Sequence, residues 1–266
     1  MKIKKVSLVI SLVLLFSLAL SACSNSAKNI TVSGSTSMES LVKALGEAYL
    51  EKTGNTVDVQ PGGSGAGIDN VKKGVSQIGN VSRNLKDTEK SEGYNEYTVA
   101  IDGIAVIVNP ENGITNLTKD QIVKIFTGEI TNFKDLGGED AEIVVVGREQ
   151  GSGTRDGFES VLDIAEKAKY KSELNETGQV KNLVATTKNA IGYISLGYVD
   201  DTVKALSVDG ITPSESTVQD QSYSIQRPFI MITAKEENAD AKEFINYILS
   251  DEGQEIVSKK GYVAVK

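Results

Sequence analysis

The residues best placed to do chemistry are hydroxyl side chains set among glycines. The richest such stretch is Val146-Gly147-Arg148-Glu149-Gln150-Gly151-Ser152-Gly153-Thr154-Arg155-Asp156-Gly157-Phe158. It follows the apolar run Ile143–Val146 and precedes an amphipathic segment from Phe158 to Ala168, where a strand would hand over to a helix. A helix starting there presents unpaired backbone N–H groups to a small anion, with the Ser152 and Thr154 hydroxyls and the Arg148 guanidinium beside them. A plain Gly-Ser-Gly turn with an N-cap accounts for the stretch equally well when it is taken alone.

Three other stretches share its character. Asn29–Ser33 alternates as a strand and enters Gly34-Ser35-Thr36-Ser37-Met38, after which Leu41, Val42, Ala44, Leu45, Ala48 and Tyr49 recur with helical spacing. A cap would use one of these hydroxyls, and the remaining ones are free to face an anion. Thr56–Gln60 enters Pro61-Gly62-Gly63-Ser64-Gly65-Ala66-Gly67, and a helix is expected from Ile68 to Val75. This glycine run has neither the Gly-Lys-Ser/Thr end of a Walker A loop nor the spacing of a dinucleotide fingerprint. Ser82 and Arg83 close a third stretch, with Arg83 read as either a solvated surface group or a neighbour of the crevice.

Composition narrows the chemistry. The 266 residues contain no histidine and a single cysteine, Cys23. Ser-His-Asp and Cys-His catalysis and histidine-based metal sites are therefore excluded, and no intramolecular disulfide can form. Lys2, Lys4 and Lys5 precede the apolar run Val6–Leu20, and Leu20-Ser21-Ala22-Cys23 follows. This is the pattern of a bacterial lipoprotein leader, with residues 1–22 removed, Cys23 acylated and residues 23–28 serving as a tether. No later apolar run is long enough to span a bilayer. The formal charge of −8 becomes −11 without the three leader lysines. An acidic surface argues against nucleic acid as a partner, yet says nothing against one buried anion held by local donors.

Taken in order, Gly34-Ser35-Thr36-Ser37, Gly62 through Gly67, Ile78-Gly79-Asn80-Val81-Ser82-Arg83, Asp102 through Pro110, Arg148 through Phe158 and Asn189-Ala190-Ile191-Gly192-Tyr193 resemble the phosphate-binding lipoproteins of bacterial ABC phosphate importers. The resemblance runs over essentially the whole chain after the leader. It implies a periplasmic-binding-protein-like α/β fold of two discontinuous lobes joined by hinge crossovers, closing around one desolvated phosphate. It also implies that Ser35, Thr36 and Ser64 supply donors from one lobe, with Ser82 or Arg83 beside them. Arg148, Ser152, Gly153 and Thr154 would supply donors from the other, and Arg155 is a further contact. Better-studied relatives carry an Asp that accepts the phosphate's proton where this chain has Arg83. Asp102 is the candidate replacement, with a strand-start cap or a partner for Arg148 as its alternative roles.

The remaining pattern places a strand over Ile101–Asn109, a first crossover at Pro110–Gly113, and helical stripes around Ile122, Ile125 and Phe126, Phe158 and Leu162, and Phe244 and Ile248. A second crossover ends at Pro228. Lobe 1 is thus expected over residues 29–109 and 229–266, and lobe 2 over 110–228. The expected function is extracytoplasmic capture of inorganic phosphate by a lipid-anchored, monomeric, non-enzymatic binding protein that delivers it to a membrane-embedded ABC permease without a cofactor or metal. The alternatives are a binding protein for sulfate, molybdate or tungstate, a surface adhesin or structural lipoprotein, and a phosphatase using Ser152 or Ser64.

Overall fold

The computed structural model describes residues 27–266; the leader and Cys23 lie outside the described residues. Eleven strands are described: β1 (Asn29–Gly34), β2 (Thr56–Pro61), β3 (Ile78–Val81), β4 (Asn95–Val108), β5 (Asn116–Leu117), β6 (Val144–Arg148), β7 (Ser172–Leu174), β8 (Ala190–Ser195), β9 (Lys204–Ala205), β10 (Ser207–Val208) and β11 (Gln226–Thr233). The helices are α1 (Glu39–Thr53), α2 (Gly63–Lys72), α3 (Asp87–Lys90), α4 (Lys119–Phe126), α5 (Gly153–Leu162), α6 (Thr177–Thr186), α7 (Glu215–Gln219), α8 (Ala239–Ile248) and α9 (Asp251–Lys259).

The main strands order as β2-β1-β3-β11-β4-β8-β6-β7, with β9 also pairing β4. Lobe 1 is the first half of that order. Strands β2, β1 and β3 are parallel, and β11 runs antiparallel between β3 and β4. Leu41, Leu45 and Tyr49 of α1, with Phe244 and Ile248 of α8 and Val257 of α9, cover one face of this sheet. Ile68 and Val71 of α2 cover the other against Val81 and Ile232. Lobe 2 holds β8, β6 and β7, with Val180 and Val184 of α6 on one face and Ile122, Phe126 and Phe158 on the other. Burying a side chain of this size removes about 1.5–3 kcal/mol of unfavourable hydration, so each lobe has a core of its own.

Two local differences from the sequence reading matter for the site. The first concerns the crossover, expected at Pro110–Gly113. Strand β4 does not end before changing lobe: Gly103 still pairs with Gln226 of β11, whereas Ile104–Val108 pair with β8. One uninterrupted strand thus serves both lobes, and its partner changes beside Asp102-Gly103, which interrupts the apolar run from Val99 to Val108. The second is that α2 begins at Gly63, so the glycine run expected as a loop forms its first turns. Glycine is a poor helix former, but here tight packing wins. A Cβ on Gly67 would lie 2.8 Å from the Ser33 carbonyl oxygen and 2.9 Å from Gly34 Cα, so only glycine lets α2 seat directly on β1.

No helix among the described residues is long and apolar enough to cross a membrane.

Candidate functional site

The hydroxyl stretches meet where strand ends from the two lobes face each other. In lobe 1, β1 ends at Gly34, whose φ of 131° is a conformation that favours glycine. A side chain there would also collide with the Asn80 carbonyl. That close approach lets Ser35 N–H donate to the Asn80 oxygen at 2.9 Å, bringing the ends of β1 and β3 together. Ser35 Oγ then lies 2.9 Å from Ser37 Oγ and donates to Ser82 Oγ at 2.7 Å. Ser64, in the first turn of α2, accepts from Ser82 N–H at 3.1 Å. All four serines are buried.

In lobe 2, β6 delivers Arg148, and a short turn leads into α5. Ser152 is the N-cap of α5, and its hydroxyl accepts from Arg155 N–H at 3.3 Å. The amides of Gly153 and Thr154, first in the helix, have no intrahelical partner. Gly153 faces lobe 1 so closely that an added Cβ would stand 2.5 Å from Ser82 Oγ and nearer still to Ser64 Oγ. Thr154 is 1% exposed, and its Oγ1 has no hydrogen-bond partner. Leaving such a hydroxyl unsatisfied costs about 1–3 kcal/mol unless something else pairs with it.

Arg148 lies beside this cluster, 1% exposed. Its Nε and Nη2 hold Glu149 at 3.0 Å each, and the same atoms also donate to the Leu174 and Asn175 carbonyls. Nη1 donates to Thr177 Oγ1 at 3.2 Å. Of the five guanidinium N–H groups, one on Nη1 is left uncommitted. Thr177 is the first residue of α6; its N–H donates to Thr36 Oγ1, and the two hydroxyls lie 3.1 Å apart. The first turns of α1, α2, α5 and α6 therefore converge, two from each lobe. Helix N-termini carry partial positive charge and free amides, an arrangement suited to a small anion.

A PBP superfamily domain model matches residues 21–252. The phosphate-binding protein PstS of Bacillus subtilis is 40% identical over 243 residues, covering 89% of this chain and 81% of that protein. Its Borreliella burgdorferi counterpart is 30% identical over 90% of this chain and 91% of its own. The chain belongs to the PstS family of phosphate-binding proteins. Among solved structures, a Clostridium perfringens protein described as a phosphate ABC transporter substrate-binding protein with bound phosphate matches this PstS-family chain with a TM-score of 0.88 and 44% identity, over 90% of this chain and all of that one.

The other residues singled out in this PstS-family sequence are buried but turned to different partners. Arg83 pairs with Asp156 of α5 at 2.8 Å through Nε and with Glu89 of α3 through both Nη atoms. Its charge thus ties lobe 1 to lobe 2 at the rim rather than facing the serines. Tyr198 makes a further tie across the lobes, donating to the Thr36 carbonyl at 2.9 Å. Arg155 lies behind the loop, bonded to Glu159, Glu173 and the Arg148 carbonyl and stacked on Tyr170.

Asp102 is fully buried, and its partner is Arg227 of β11, not Arg148. One carboxylate oxygen accepts from Arg227 Nε at 3.0 Å and Nη2 at 2.8 Å. The other accepts from Ser195 Oγ at 2.9 Å and Leu196 N–H at 3.2 Å. Burial pushes the Asp102 carboxyl up and the Arg227 guanidinium down, each opposed by the charge of the other. The Arg227 and Leu196 donors have no lone pair to receive a proton, so Asp102 is held as the carboxylate. Arg227 and Thr177 were not singled out in the sequence. Thr177 lies ahead of Val180 and Val184, the apolar residues that mark its helix, and Arg227 finds its carboxylate 125 residues away.

Proposed function

We propose that this chain captures inorganic phosphate outside the cytoplasmic membrane and delivers it to an ABC permease, the two lobes closing over the anion. The observation that carries the reading is the buried, unpartnered Thr154 hydroxyl in the first turn of α5, next to Gly153, which packs against Ser64 and Ser82 of lobe 1. Thr36, Ser64, Ser82, Arg148, Ser152, Gly153 and Thr154 form the binding set in this reading, through side chains or amides, and Ser35, whose amide and hydroxyl protons go to Asn80 and Ser82, orients Ser82 beside them. Arg83 acts instead as an interlobe tie and Asp102 as the anchor of Arg227. The names of the relatives support phosphate as the anion. Acylation of Cys23 would hold the monomer at the membrane, a point checked by the mass of the N-terminal peptide from native cells.

Isothermal titration of the leaderless protein against phosphate, sulfate, molybdate and tungstate tests the assignment. Phosphate should bind and the others should be at least about a hundredfold weaker, a gap of ~2.7 kcal/mol. Sulfate binding as tight as phosphate would refute the specificity, and no binding of any oxyanion would favour the adhesin alternative.

Thr154→Val separates a ligand contact from a structural one. The hydroxyl has no partner within the protein to lose, so the thermal midpoint of the ligand-free protein should hold or rise. Phosphate affinity should fall by about 1–3 kcal/mol. A variant with unchanged affinity would remove Thr154 from the site.

A further inference from the structure

Ser82 sits on the lobe 1 wall of the proposed site, and its surroundings fix which way its proton points. A hydroxyl has one proton to give and two lone pairs to accept with. Ser82 Oγ accepts from Ser35 Oγ at 2.7 Å and from Arg227 Nη1 at 3.2 Å. Both lone pairs are thereby engaged, and its proton is offered on the side where Ser64 Oγ lies 3.3 Å away, a contact long enough for a ligand oxygen to share. Ser35 has spent its only proton on Ser82, so in the 2.9 Å contact with Ser37 it is Ser37 that donates. Ser37 Oγ in turn accepts from Arg227 Nη2 at 3.1 Å. The remaining Nη1 hydrogen goes to the Ser82 carbonyl at 3.1 Å, and Asp102 takes the rest of the guanidinium. Every N–H of Arg227 is therefore spent, and the group cannot itself bond the ligand without giving up a partner.

The geometry points to Arg227 as a positioning residue that makes Ser82 an obligate hydrogen-bond donor, so that the lobe 1 wall favours dianionic phosphate over the monoanion. The inference rests on the phosphate reading above. Its logic is a count of ligand protons. Hydrogen phosphate carries one proton, for which the unpartnered Thr154 hydroxyl in lobe 2 can act as acceptor. Dihydrogen phosphate carries two, and an oxygen bearing the second meets a donor when it faces Ser82. Two donors forced together leave both unsatisfied.

The charged and titratable groups around this wall are Asp102 and Arg227 of lobe 1, Arg148 and Glu149 of lobe 2, the Arg83 pair with Asp156 of α5 and Glu89 of α3, and the Tyr198 and Tyr262 hydroxyls. Tyr198 is pushed up to about 12 by burial, and Tyr262 is raised by burial as well. The chain has no histidine. The dependence of affinity on pH between 5 and 8 is therefore dominated by the ligand, whose second ionisation lies near neutrality, somewhat above that of a phosphate monoester.

Phosphate titrations at pH 5 and pH 8 on the leaderless protein test this. The wild-type dissociation constant should rise about tenfold or more at pH 5, because only the dianion fraction is competent to bind. The double variant Asp102→Asn with Arg227→Met removes the donor without stranding a buried carboxylate. It should bind more weakly at pH 8, and its pH 5 to pH 8 ratio should shrink to about threefold or less, since Ser82 can then accept a ligand proton. Ser35→Ala frees the other lone pair of Ser82 while leaving the ion pair intact, and should shrink the ratio in the same way, which keeps the inference open to refutation if the double variant does not fold. A purely structural Arg227 would weaken binding equally at both pH values. Variants that bind phosphate and retain the wild-type ratio would overturn the role of Arg227 alone, as would a wild-type affinity that is flat with pH. No wild-type binding at either pH would overturn the phosphate reading and this inference together.

Discussion

Gly153→Ala should weaken phosphate binding by about a hundredfold or more while leaving the separate lobes folded. Two effects compete. Alanine favours a helix over glycine by about 0.5–1 kcal/mol, and Gly153 is the first residue of α5, so this term is stabilising. Against it, the new methyl would overlap Ser64 Oγ and stand 2.5 Å from Ser82 Oγ. Neither hydroxyl can swing aside freely. Ser64 is engaged by the Ser82 amide, and Ser82 by Ser35 and Arg227. Overpacking of this kind costs about 1–3 kcal/mol, and displacing a donor from the anion adds a similar amount. The clash therefore wins. Since glycine and serines belong to different lobes, the penalty falls on the closed state. Calorimetric titration should show the loss of affinity, while the thermal midpoint without phosphate changes little. Near-wild-type binding would mean that the lobes do not meet at Gly153.

Arg148→Ala is the second large effect, at about 3–5 kcal/mol of binding free energy, the range seen when one partner of a buried pair is removed. The substitution takes a charged donor from the anion and also leaves Glu149 without its guanidinium, a carboxylate then facing the same cleft. Thr177 loses a donor as well, which loosens the link from Thr177 to Thr36 across the lobes. Arg148→Lys should recover only part of the affinity. An ammonium supplies the charge but cannot reach Glu149, two carbonyls and Thr177 at once. Titration of both variants checks this. An Arg148→Ala protein with wild-type affinity would show that the guanidinium only shapes the turn.

Much of this architecture is legible in the sequence because it is local. Alternating apolar residues followed by a Gly/Ser stretch and a 3.6-residue pattern identify β1 with α1 and β6 with α5. Among the hydroxyls of the Gly/Ser stretches, Ser35, Ser64 and Ser82 share one hydrogen-bonded cluster on which Gly153 packs, and Thr36 reaches Thr177. What escapes is settled by contacts far apart in the chain. Arg83 stands in a loop like any surface arginine, and only the packing of α5 gives it Asp156. Asp102 is recognisable as an unusual acid entering an apolar strand, yet nothing near it indicates that its counterion lies on β11. The change of partner within β4 falls beside Asp102-Gly103, a break in the apolar run that reads equally well as the entrance to a strand.

The placement of β11 also sets an order of assembly. Lobe 2's paired strands come from one continuous span, from Ile104 of β4 through β9, so they can pair as soon as that span is available. The lobe 1 sheet cannot: β3 and β4 are not neighbours, and the strand that joins them is contributed by Gln226–Thr233. A chain emerging amino end first holds the edges of β3 and β4 open until most of its length has appeared, and it must then close a loop of long sequence separation, a step that is slow for entropic reasons. Because β11 also carries Arg227, the step that completes the lobe 1 sheet also delivers the guanidinium to Ser37 and Ser82. A receptor with a half-built sheet therefore has a half-built anion wall, and ligand competence and completion of the fold arrive together.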